Sequence, residues 1–255
     1  MTKSASIRVV GLLAGAGIVA GSASAGITDP GVLFEATNAQ GTGSVAINLG
    51  QGAPLPGGGW QWILVGPPIP IMSGPNVIGT ITQGSVTLID QSPQAVVATT
   101  FAVAAGQSNT SFTISSALIS FPTISNAQGR ATAGITVTDV GGGGASVTGN
   151  RPNDSVFSAH YNGMAPGGTT FGNLISGGVT EPVAFGSETA SENFPAGPGF
   201  LALGGNASDA STQWAFTVSG GDTASGTGAF FIVPAPASMA LLSIAGGVML
   251  RRRRA

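Results

Sequence analysis

The feature that most limits what this chain can fold into is an alternation, at a period of two, between apolar residues and small or hydroxyl-bearing ones. Ala131, Ala133, Ile135 and Val137 alternate with Thr132, Gly134, Thr136 and Thr138, the mark of a half-buried β-strand whose successive side chains point to opposite faces. Val45, Ile47 and Leu49 repeat the pattern, as do Val97, Phe101 and Val103, and Trp214, Phe216 and Val218. Residues 32–36 supply an opening strand, with Val32, Phe34 and Ala36 on one face and Leu33 and Glu35 on the other. The apolar parity flips around Gln83–Gly84, and again between Phe112/Ile114 and Ala117/Ile119/Phe121; each flip predicts a bulge or tight turn. No window of the body sustains a capped helical period, and Gly and Thr are poor helix formers. The predicted class is all-β.

Turn chemistry separates these runs at spacings that suit a β-sandwich or a jelly-roll-like body. Pro54–Gly59 and Pro67–Pro70 flank a strand carrying Trp60 and Trp62, while Gly141–Gly144, Gly149–Asp154 and Asn162–Thr170 interrupt the middle. Gly186–Gly199 reads as a long acidic loop holding Glu188 and Glu192. Trp214–Val218 and Ala229–Val233, joined through Gly220-Gly221-Asp222, read as a closing hairpin.

Both ends carry delivery signals. Lys3 and Arg8 precede an apolar run at Val9–Ala20, and Ala23-Ser24-Ala25 is a small-residue cleavage site, so residues 1–25 read as a signal peptide. At the other end Val-Pro-Ala-Pro-Ala-Ser leads into the apolar segment Met239–Leu250, then Arg251, Arg252, Arg253, Arg254 and Ala255. Twelve apolar residues are too few to cross a hydrocarbon core of about 30 Å, but eighteen, counted from Val233, just suffice. Four consecutive arginines stop transfer, because moving all of them across the bilayer costs on the order of 10 kcal/mol or more. The expected domains are the signal peptide 1–25, a β body 26–232, and the tail 233–255.

This three-part tail, with Val233, Pro234, Ala235 and Pro236 as its signature, resembles the PEP-CTERM sorting signals of Gram-negative bacteria, with Ala235 where that family has glutamate. The resemblance covers the tail alone. It implies export, transient insertion in the inner membrane through a short hydrophobic helix, and processing by an exosortase-like membrane transpeptidase. A cell-surface or extracellular location follows from it, with signal peptidase acting at the other end and exopolysaccharide as a neighbour.

Charge and cysteine content exclude several classes. Between the two signals lie all ten acids but only Arg130 and Arg151, a net charge of −8. Such a body repels phosphate backbones and anionic head groups, so nucleic acid is not an expected partner. With no cysteine there is no disulfide, thiolate nucleophile or thiolate metal site. A body of roughly 200 residues is long enough to stand on its core instead.

The chemistry-bearing residues are few. His160 is the only histidine, and no Gly-x-Ser-x-Gly elbow accompanies it. Glu181, Glu188 and Glu192 are the nearest approach to a glycosidase carboxylate set, in a setting that reads as solvated loop. Asp139 before the glycine run and Asn153-Asp154 offer oxygens to a calcium ion, without the Asp-x-Asp-x-Asp-Gly loop. Trp60 and Trp62, two apart, share one face of a strand. They either fill the core or stand exposed as a stacking platform for sugar rings, and the Asn-rich loops near Asn150–Asn153 and Asn162 suit a carbohydrate groove and turns equally. The functional expectation is a non-enzymatic structural or adhesive surface protein, with a secreted carbohydrate-binding module as the alternative and a secreted hydrolase behind both. No catalytic residue, cofactor or metal site is assigned.

Overall fold

The structure, a computed structural model, describes residues 26–91 and 93–236. The expected signal peptide with Ala23 and Ala25, the apolar segment and the expected stop at Arg251–Arg254 lie outside the described residues. The strands begin with β1 (Val32–Asn38), β2 (Gly41–Ile47), β3 (Ala53–Pro54), β4 (Trp60–Ile63), β5 (Ile69–Ser73) and β6 (Asn76–Ile89). Then come β7 (Ala95–Ala105), β8 (Thr110–Ser116), β9 (Ile119–Ile124), β10 (Ala127–Thr138), β11 (Ala145–Gly149) and β12 (Phe157–Tyr161). The last are β13 (Thr169–Leu174), β14 (Val179–Glu181), β15 (Ser187–Phe194), β16 (Leu201–Ala202), β17 (Ala207–Val218) and β18 (Thr223–Pro234).

These strands make two antiparallel sheets packed face to face, a β-sandwich. The first runs β13-β12-β17-β8-β1-β2, with β11 and β9 also on β17 and β14 on β11. The second runs β15-β10-β18-β7-β6-β4-β3, with β16 on β10 and β5 on β6. The alternation reads through directly: along β10 the odd positions Ala131, Ala133, Ile135 and Val137 are buried and the even ones half-buried. The flip near Gln83 is a bulge inside one long strand, since β6 slips register against β7 between Ile81 and Gln83. The second flip is a break: β8 and β9 lie one after the other along β17, with Ala117 bonded to Gly31 between them.

Three expectations are corrected. Leu49 opens a 3₁₀ turn, Leu49–Gln51, rather than extending β2. The stretch read as an acidic loop is mostly β15, paired to β10 from Ser187 to Phe194. Polar residues on both of its faces hid it, yet that is the usual dress of an edge strand with one side unpaired. The closing hairpin is an arch: β17 belongs to the first sheet and β18 to the second. Their inward rows meet across the core, Trp214 packing over Gly226 and Gly228, so they face each other instead of lying side by side. The connection straddles the gap, with the Ser219 N–H donating to Ser146 O in one sheet and the Ala105 N–H donating to Asp222 O in the other.

The core is an aromatic cluster spanning both sheets. The Trp214 ring lies 4.8 Å from Phe157 and 5.0 Å from Phe101, and Phe101 stacks on Phe216 at 5.4 Å. Room for Trp214 comes from β18. A Cβ on Gly228 would sit 2.7 Å from both Phe157 and Trp214, and one on Gly226 would sit 2.7 Å from Phe101. A glycine inside a strand costs roughly 0.5–1 kcal/mol, which aromatic pairs worth about 0.5–1.5 kcal/mol each offset.

The outer face of the second sheet is organised by the same register. One row across it is Ser187, Thr138, Thr223, Ala104 and Thr80; the next is Thr189, Thr136, Ser225, Ala102 and Gln83. Ser191, Gly134, Thr227, Thr100 and Ser85 follow, then Asn193, Thr132, Ala229, Ala98 and Thr87.

Gly228→Ala is expected to lower stability by about 1–3 kcal/mol through overpacking. Gly134→Ala, whose nearest new neighbours lie 3.8 Å away, is expected to be neutral or slightly stabilising. Urea midpoints with unchanged slopes check both; equal effects at the two positions would contradict the packing assigned to β18.

Candidate functional sites

Trp60 and Trp62 do share one side of β4, and that side is the interior. Each is only 5% exposed. The Trp60 indole N–H donates to Leu49 O at 2.8 Å, and its ring covers Gly31 and Gly52. Trp62 meets Phe34 edge-on at 6.2 Å. The stacking platform is therefore not formed by these rings, because large apolar faces gain most from leaving water. Of the two readings of the asparagine loops, the bonds fit turns: Asn150 Nδ2 donates to Thr217 Oγ1 and Asn162 Nδ2 to Asn206 O.

His160 lies in β12 two residues after Ser158, so the two side chains share the outer side of the first sheet, and both are buried. Arg151 Nη2 donates to Ser158 Oγ at 2.6 Å, and Ser158 Oγ lies 3.0 Å from His160 Nε2. His160 Nδ1 faces Gly168 O at 3.4 Å. A carbonyl can only accept, so Nδ1 carries the proton facing Gly168 O, and the one Ser158 O–H has both His160 Nε2 and, at 3.4 Å, Gln213 O as acceptors. Burial lowers the His160 pKa below its ordinary value, the Gly168 carbonyl opposes this, and the Arg151 charge adds to the lowering. Desolvation likewise lowers the pKa of Arg151, whose Nε has no acceptor. A serine beside a neutral imidazole has the spacing of a nucleophile and its base. Here, however, Ser158 is wholly buried and the imidazole is oriented by a carbonyl rather than a carboxylate, so the cluster pins two loops onto the sheet. Sequence reasoning missed Arg151 and Ser158; the two-residue spacing of Ser158 and His160 was the available signal.

The three glutamates differ in their surroundings. Glu181 is buried with Oε1 accepting the Val183 N–H at 2.6 Å. Glu192 accepts the Ile175 N–H, and Glu188 is exposed on β15.

The oxygens considered for calcium are also engaged. Asp139 Oδ1 accepts from Gly142 at 2.8 Å, and Oδ2 accepts from Gly144 at 3.0 Å and Phe185 at 2.9 Å. Burial alone would raise the Asp139 pKa, but the N–H groups of Phe185, Gly144, Gly142 and Gly141 outweigh it and leave it lowered. Those bonds also hold Phe185 at a φ of +58°, a costly conformation for a bulky residue. Nearby, Asp222 accepts from Val140 N–H and from the Ser219 hydroxyl. Asn153 and Asp154 sit apart from these, in the 3₁₀ turn beside Arg151. Among the described residues no cluster of three His, Asp or Glu is disposed to hold a metal.

The Val233–Pro236 stretch expected to be a sorting signature begins inside the sheet. β18 extends past residue 232, pairing Val233 with Gln128 and Pro234 with Ala127. The Ala235 N–H then donates to Asn126 O at 3.1 Å, and Pro236 is the last described residue.

Two pH dependences follow. Above pH 6.5 His160 is neutral in both states; below it the unfolded chain binds a proton that the folded chain resists, so stability falls with pH until the folded pKa is passed. The Asp139 contribution is full above pH 3.8 and is lost as pH falls through its lower folded value. Denaturant midpoints against pH should show both declines, the first flattened by His160→Asn and the second by Asp139→Asn. Variants that keep the wild-type slope would contradict the assignments.

No family model matches this chain, and no curated protein matches it. Among solved structures it is similar to TmCBM61 in complex with beta-1,4-galactotriose, at 12% identity over 59% of this chain and 87% of that one, with a TM-score of 0.26. A structure of the infectious bursal disease virus Gx strain is similar at 12% identity, over 84% of this chain and 54% of that one, with a TM-score of 0.26. Likeness at this level carries no functional argument.

Proposed function

We propose that this chain is an exported, non-enzymatic structural or adhesive protein, sorted through Val233–Ala255 and held at the cell surface or in the extracellular matrix. The supporting observation is how the chain leaves the sandwich. β18 traverses the second sheet and passes without a linker into Pro236, only three positions before the apolar segment begins at Met239. A body joined so closely to a stop-transfer segment is carried wherever that segment goes. Signal peptidase acts after Ala25, the tail inserts transiently in the inner membrane, and an exosortase-like transpeptidase acts at the signature.

The polar chemistry of the body favours the same reading. Ser158, Asp139, Glu181 and Glu192 are engaged by hydrogen bonds that fix loops, in the positions where a hydrolase would need free groups. A carbohydrate-binding role is the second reading. It is favoured by the uncharged hydroxyl rows on the outer face of the second sheet rather than by Trp60 and Trp62.

Intact mass of the protein recovered from the surface or medium of producing cells tests the proposal. The expected product lacks Met1–Ala25 and the terminal arginines, and neutral replacements at Arg251–Arg254 cause it to stall or mislocalise. The complete chain, found soluble in the cytosol, would overturn it.

A further inference from the structure

We propose that the outer face of the second sheet is a docking surface for a neutral polysaccharide. This rests on the surface-or-matrix reading and names the partner and the face that meets it.

The first argument is charge. Protein surfaces commonly carry about 25–35% charged residues, and this body has ten acids and two arginines to distribute. None of them falls in the rows that the register aligns from β15 across to β6. Asp139, Asp222 and Glu181 are buried. Glu188 and Glu192 fall between the row positions on β15, and Arg130 lies one row beyond. Within these rows an anionic polymer finds no cation and a cationic one finds no anion, while Arg130 stands at the margin of the same face. A neutral partner gives up nothing by docking there.

The second argument is geometry. Neighbouring strands lie about 4.8 Å apart and same-face residues about 6.8 Å apart along a strand, so hydroxyls recur in two directions across the sheet. Each hydroxyl both donates and accepts, as a sugar hydroxyl does, and the methyls of Thr, Ala98 and Ala102 offer apolar contact to sugar C–H groups. Thr100, Thr189, Ser191, Ser225 and Thr227 are exposed, so no loop covers the centre of the face.

The third argument is preorganisation. Thr136 and Thr189 are hydrogen-bonded at 2.8 Å, Thr138 and Ser187 at 2.8 Å, and Thr100 and Thr227 at 3.4 Å. Holding rotamers before binding reduces the entropy lost on binding, and each pair keeps acceptor capacity and a free O–H. Single contacts are weak. A polymer crossing several rows adds them at high effective concentration. A second copy of this chain is a poorer occupant, because burying two hydroxyl faces together leaves many groups without partners and gains little apolar area.

Affinity electrophoresis of the protein recovered from producing cells, in gels containing dextran, hydroxyethylcellulose or alginate, tests this. Retardation by a neutral glucan, unchanged at high salt, is expected. Thr136→Glu with Thr227→Glu should abolish it. The isosteric pair Thr136→Val and Thr227→Val, which keeps the β-branched shape, should weaken it about tenfold. Thr37→Glu, exposed on the first sheet, should leave it unchanged. The inference is overturned if neither neutral glucan retards the protein, if only alginate does so and salt releases it, or if light scattering shows the glutamates dissolving a dimer. A protein found at the surface that no neutral glucan retards overturns this inference alone; one found intact in the cytosol overturns the reading beneath it.

Discussion

Two sheets lined with aromatic rings can close on one another only if one of them makes room, and in this fold β18 does so. Gly226 and Gly228 leave open the volume that Trp214, Phe101 and Phe157 occupy. That close approach holds β17 and β18 face to face and makes their connection an arch. It also sets which side of β18 faces out, and therefore which residues appear on the outer face. The compromise is visible at Trp214, whose indole N–H is buried without an acceptor. Such a group costs about 1–3 kcal/mol, a loss of the same order as the gain from burying so large a ring.

Much of this was legible in the sequence because period-two alternation is a direct record of which side of a strand meets the core. β10, with Ala131 to Val137 inward, and β1, with Val32, Phe34 and Ala36 inward, read through without change. The parity flip at Gln83 marked a real bulge. The misses share a cause: local pattern says nothing about which sheet a strand joins. Trp214–Val218 and Ala229–Val233 look the same as arms of a hairpin or of an arch, and only cross-sheet packing decides. β15 was hidden because Ser, Glu and Asn at an edge can face water on both sides. The Arg151–Ser158–His160 cluster was hidden because Arg151 reaches it from a turn outside β12. For Trp60 and Trp62 the sequence left core and surface open, and burial chose the core.

The division of polar labour gives the body its character. Its carboxylates work largely as loop organisers, with Asp139 gathering three backbone N–H groups and Asp222 and Glu181 fixing the neighbouring turns. Its hydroxyls are laid out across the second sheet in register, with Thr136–Thr189, Thr138–Ser187 and Thr100–Thr227 bonded to each other. A chain without cysteine thus obtains loop order from carboxylates and cohesion from an aromatic core. It keeps the hydroxyl rows across the outer face of the second sheet free of charge. These properties suit a protein that meets uncharged polymers over an area rather than a small substrate in a cleft.

The proposed place of work requires the body to stand outside the inner membrane while the tail is processed. The absence of cysteine makes that directly measurable. A single Ser44→Cys, exposed on β2, introduces the only thiol in the chain. A membrane-impermeant maleimide applied to intact producing cells is predicted to label it fully, with no further labelling on lysis. Labelling that appears only after the cells are broken would contradict the account.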